Sequence, residues 1–115
     1  MRNIQKHLDN LNTLIDTYQS TQKSDGNTLV GIAQDISITL YWLSEEKTKE
    51  HDNFEKYVFS LTTDKNMTVS RAINAAEVAY PNLYRLRYII RAGYSILDII
   101  RTQISYLKAE IHNTK

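Results

Sequence analysis

The sequence predicts an all-α protein: a helical hairpin or bundle with a long, heptad-patterned C-terminal helix, in one domain over residues 1–115. Three observations predict it. Only three Gly and one Pro interrupt 115 residues, and such breakers are what end helices. Apolar residues recur at alternating spacings of three and four along most of the chain, the mark of one helical face. The balance of 42% hydrophobic and 23% charged residues is that of a folded chain.

The first helix is expected over 2–20, where Ile4, Leu8, Leu11, Ile15 and Tyr18 share a face. Ser20 to Asn27 is polar and contains Asp25-Gly26, so it reads as a loop. Thr28 then suits an N-cap. Leu29, Ala33, Ile36, Leu40 and Leu43 carry a second helix, which resumes its apolar frame at Phe54, Tyr57 and Leu61. Between them, Ser44 to Asn53 is polar all round. The expectation is one continuous helix over 28–61 with a weakly packed middle. Thr62 to Asn66 reads as a turn, and Thr68 or Ser70 as the next cap.

From Val69 the frame runs Ala72, Ala76, Ala79, Leu83, Leu86, Ile90, Gly93, Leu97, Ile100, Ile104, Leu107 and Ile111. This is a helix-packing seam of about six heptads, roughly 65 Å if unbroken. Pro81 lies inside it, and because the frame keeps phase a kink is expected there. Ile89, Ile96 and Ile99 widen the stripe beyond a two-stranded coiled coil, which asks for contacts on two sides. Leu83, Leu86, Ile90, Leu97, Ile100, Ile104 and Leu107 are therefore the candidate interface of a homo-oligomer. A chain folded back on itself satisfies the same pattern.

The absence of Cys removes disulfide scaffolds, thiolate zinc sites and Cys nucleophiles, and suits a reducing cytoplasm. The N-terminus lacks the apolar core of a signal peptide, and no run of about 18 apolar residues spans a membrane. The expected location is the cytoplasm, with no membrane partner. The net charge of +1 hides an asymmetry: seven Lys/Arg against ten Asp/Glu in residues 1–70, and seven against three in 71–115. An acidic partner is expected to meet the C-terminal part.

The candidate site lies there. Tyr84, Arg87, Arg91 and Tyr94 fall on one flank, with Arg101 and Lys108 on the same line and Arg85 and Tyr88 beside them. Guanidinium groups bind phosphates, and aromatic rings stack on unpaired bases. The plainer reading is that these residues cover the seam's edges while their polar ends reach water. Asp98 interrupts the line and is expected to pair with Arg101 or Arg91. The acidic stretch with Glu45, Glu46, Glu50, His51, Asp52 and Glu55 offers helical carboxylate pairs, but no second acidic motif answers it. Glu/Lys pairing on a solvated face explains it better. His7, His51 and His112 have no metal spacing, and no phosphate loop or nucleophile elbow is present. No enzyme, metal or cofactor is expected.

Leu83-Tyr84-Arg85-Leu86, followed by Leu97-Asp98-Ile99-Ile100-Arg101-Thr102-Gln103-Ile104-Ser105-Tyr106-Leu107-Lys108-Ala109-Glu110, resembles the end of small phage proteins found among recombination genes. It is similar, more loosely, to the UvsY recombination-mediator family of T4-like phages, with Tyr41-Trp42-Leu43 in the place of that family's middle helix. The resemblance covers about a third of the chain. It implies a helical homo-oligomer that binds single-stranded DNA and helps load a recombinase. The competing expectation is a small phage protein that binds and inhibits a host enzyme or defence complex, laying a helix in a groove.

Overall fold

The computed structural model describes residues 2–113, with side-chain detail over 4–110. Four helices follow one another: α1 (Arg2–Ser20), α2 (Gly26–Asp64), α3 (Val69–Ala79) and α4 (Asn82–Asn113). No strand occurs among the described residues. Ile111 and His112, named above, have side chains outside the described detail.

Each boundary has a local cause. Asp25, rather than Thr28, caps α2. Its carboxylate accepts the Thr28 hydroxyl at 2.7 Å and the Thr28 N–H at 3.2 Å, so the helix starts two residues earlier than the sequence suggested. Those bonds, the hydroxyl's first, hold the Asp25 carboxyl below the usual carboxylate range. α2 runs unbroken through the polar middle. Its 39 residues make a rod of about 58 Å. It ends beside Asn66, whose φ of 53° lies in the left-handed region that Asn tolerates. Thr68 caps α3 by accepting the Arg71 N–H at 3.3 Å.

The kink expected at Pro81 is a full interruption: α3 stops at Ala79 and α4 begins at Asn82. Proline has no N–H to donate, and its ring crowds the carbonyl of Glu77 and forces Tyr80 out of helical geometry. Tyr80 has φ −127° and ψ 66°.

α2 is the spine. α4 packs against it antiparallel: Leu107 lies beside Gly26, Gly93 against Leu40, and Leu83 and Arg87 beside Lys47 and His51. α3 extends that line along the far half of α2. α1 folds back on the near half, stacking the His7 ring over Trp42 at 6.3 Å. The Tyr18 hydroxyl donates to Gln103 Oε1 at 3.0 Å, tying α1 to α4. One end is thus three helices thick and the other two, within 71 × 25 × 16 Å.

Two apolar clusters follow from this. The larger joins Leu8 and Leu11 of α1, Leu29, Ile36, Leu40 and Leu43 of α2, and Leu86, Leu97 and Ile100 of α4. The smaller gathers Phe54, Ala76 and Leu83, with Tyr57, Val58, Ile73 and Tyr80 packed around them. Ala72 and Ala76 are fully buried, so α3 lies close on α2. Val69 and Ala79, placed on the buried frame by spacing, are exposed at the two ends of α3.

The seven residues assigned to contacts between copies lie inside this one chain. Leu83, Leu86, Ile90, Leu97 and Ile100 are each at most 6% exposed, and Ile104 and Leu107 pack against the same cluster. The wide stripe called for neighbours on two sides: α2 and α1 join the seam, Ile89 and Ile96 in one cluster, while Ile99 stays 57% exposed.

Candidate nucleic-acid interface

α4 buries one face and turns the other outward. Tyr84, Arg85, Arg87, Tyr88, Arg91, Tyr94, Arg101 and Lys108 are all exposed. At about 100° per residue, Tyr84, Arg87, Tyr88, Arg91 and Tyr94 share one outward sector of about 120°, and Arg101 and Lys108 drift from it by about 20° per heptad toward the edge of the buried face. Arg85, two positions before Arg87, falls near the opposite flank. From Arg87 to Lys108 the row covers 21 positions, about 32 Å.

The rings are accessible to a ligand: Tyr88 is 75% exposed, Tyr84 52% and Tyr94 46%. Tyr106, at 70%, belongs with them. It lies 18 residues, or five turns, beyond Tyr88 and so points the same way. Sequence reasoning passed over it because no cation stands within three residues except Lys108, two positions away on a different line. The Arg87 guanidinium sits 5.7 Å from the Tyr84 ring centroid, a cation–π distance. The Tyr84 hydroxyl donates to Glu77 Oε1 at 3.0 Å across the Pro81 break. That bond and the charge of Glu77 raise the Tyr84 hydroxyl above its ordinary range, and the nearby Arg87 opposes them.

The cations of the row have no carboxylate against them. Among the described residues the ion pairs are Lys49–Glu46 and His51–Glu55, both within α2 and both 3.5 Å. Asp98 therefore pairs with neither Arg91 nor Arg101. Its carbonyl accepts the Thr102 hydroxyl at 2.9 Å, and its exposed carboxylate stays in water.

The polar middle of α2 is sorted by side. Lys47, Thr48 and His51 face α4, where they line a cavity of about 240 Å³ with Leu83 and Arg87. Glu45, Glu46 and Lys49 line a separate cavity with Lys6, His7 and Trp42. No group of three or more His, Asp or Glu side chains is placed to hold a metal ion among the described residues. Tyr41 and Trp42 are about half exposed and meet edge to face at 5.2 Å. No helix among the described residues is long and apolar enough to cross a membrane.

No protein-family model matches this chain, and neither does any curated protein or solved structure.

Proposed function

We propose that this protein is a non-catalytic accessory protein that binds single-stranded nucleic acid along the outward face of α4. One observation carries the reading: exposed cations without carboxylate partners alternate with exposed tyrosines on one helix. Free cations along a row release counter-ions from a phosphate backbone, and flat exposed rings stack on bases that a single strand leaves unpaired. A duplex offers the phosphates but not the base faces. The recombination-mediator role and the phage setting rest on the sequence resemblance alone. A single chain presents the whole row, so binding does not require the copies to assemble first.

Fluorescence polarisation with single-stranded and duplex oligonucleotides at two salt concentrations tests this. Tighter, salt-sensitive binding to the single strand is the expected result. Replacing Arg87 and Arg91 together by Ala removes two phosphate contacts. It should reduce the slope of log K against log salt by about 1.4, at roughly 0.7 per contact for a single strand. Unchanged binding by the folded double variant would remove α4 from the interface.

A protein-partner role has its own support at the two-helix end. Val78 is 82% exposed, Phe59 69% and Val69 62%, and apolar side chains left in water there suit a protein surface. Absence of oligonucleotide binding at low salt would transfer the assignment to that end.

A further inference from the structure

The stretch Ser44 to Asn53 looked like a solvated face in sequence, yet three of its side chains converge with a fourth from another helix. Lys47, Thr48 and His51 of α2 and Arg87 of α4 share one cavity of about 240 Å³. Leu83, which is 2% exposed, forms its apolar wall. We infer that this notch between α2 and α4 holds a phosphate group.

Donor chemistry supports the assignment. A lysine ammonium, a guanidinium and an imidazole are groups that bind phosphate oxygens, while the Thr48 hydroxyl already donates to the Ser44 carbonyl at 3.1 Å. Neither Lys47 nor Arg87 has a carboxylate within ion-pair distance among the described residues. Like charges gathered at one cavity raise the energy of the empty protein, and a bound anion relieves it. Glu55 stands 3.5 Å from His51 Nε2 on the same helix, and Glu50, beside His51 in sequence, buries its Oε2 without a hydrogen-bond partner among the described residues. Glu45 and Glu46 line the other cavity. The volume is below the roughly 300–1,000 Å³ of sites that take organic cofactors, so a single anionic group suits it better than a nucleotide.

The geometry also fixes a place along α4. Arg87 is the first cation of the outward row and the only one that α2 side chains meet in this cavity. A phosphate here is either the terminal phosphate of a strand lying along α4, which rests on the function proposed above, or a free phosphate ion, which does not. The shared chemistry is a phosphate carrying more than one negative charge.

Inorganic phosphate is the first probe, with the imidazole C–H resonances of the intact chain as readout. The His51 signal, assigned with a His51→Gln variant, should move in a saturable way while the His7 signal stays still. Lys47→Met keeps the side-chain stem against Leu83 but removes the charge, so it should weaken phosphate binding about tenfold. An unchanged thermal midpoint would show that this variant is folded. A His51 signal that does not respond in the intact chain, or a response that Lys47→Met leaves untouched, overturns the assignment.

The second probe is one oligonucleotide with either a 5′-phosphate or a 5′-hydroxyl. Preference for the phosphorylated strand, lost in Lys47→Met, identifies the strand end as the source. Equal affinity beside a responding His51 identifies the free ion. Phosphate binding with no oligonucleotide binding would leave the notch standing and remove the nucleic-acid reading of α4.

Discussion

A methyl group added at Gly93 would lie 2.5 Å from Leu40 Cδ2, whereas one added at Gly31 meets nothing within 4 Å. Leu40 is fully buried and has little room to yield. Gly93→Ala therefore sets an overpacking cost of about 2 kcal/mol against a helix-propensity gain of about 1 kcal/mol. The net expectation is a loss of about 1 kcal/mol. Gly31→Ala has only the gain, and should stabilise by about 0.5–1 kcal/mol. Chemical denaturation of the two variants checks both signs. The cap at Asp25 titrates in a defined direction. Its folded carboxyl is held low by Thr28, so its contribution to stability is present above the unfolded carboxylate range. That contribution fades as pH falls through the lower folded value. Asp25→Asn keeps an acceptor for the helix N-terminus without the charge, and the acid-side stability difference from the native chain should shrink as pH drops.

At the level of elements, the helices were legible because each buries a face that its spacing announces. Ile4, Leu8 and Leu11 gave α1, and Leu29, Ala33, Ile36, Leu40 and Leu43 gave α2. The continuity of α2 was legible too, since nothing in Ser44 to Asn53 breaks a helix. The partner of the seam was not. Spacing says that Leu86, Ile90 and Leu97 need neighbours but not whether those belong to the same chain, and here α1 and α2 provide them. The outward row on α4 was legible as residue types at helical phase. The notch was not, because it joins residues 47–51 to residue 87 across two helices, and only the antiparallel pairing of α2 and α4 reveals that neighbourhood. Proline alone separates α3 from α4, whose buried positions Ala72, Ala76, Leu83 and Leu86 keep one frame. Pro81→Ala restores an N–H and removes the crowding at Glu77. It should fuse the two helices, raise the far-ultraviolet helical signal and increase the thermal midpoint. A signal that stays level would place the cause of the break in the packing of Tyr80 against Tyr57 instead.

For the whole molecule, the radius of gyration of 19.5 Å stands well above the roughly 13 Å of a compact chain of this length. The excess comes from a bundle that thins from three helices to two along a single rod. Stability should be uneven in the same sense, since the thicker end holds most of the buried leucine and isoleucine and the thinner end a small cluster around Phe54. Hydrogen exchange should reach the amides of α3 and of residues 54–64 before those of residues 32–43. Uniform protection along α2 would show that the two clusters unfold together.

The bond from Tyr84 to Glu77 acquires a second meaning in this setting. It is a clasp over the joint where Pro81 parts α3 from α4, and its donor ring is one that the proposed strand would stack upon. Alkaline conditions open it: the Tyr84 hydroxyl is raised in the folded chain, so the clasp's contribution holds below the ordinary tyrosine range and vanishes as pH climbs through the raised value. A ligand that draws the ring away from Glu77 unfastens the same joint at neutral pH.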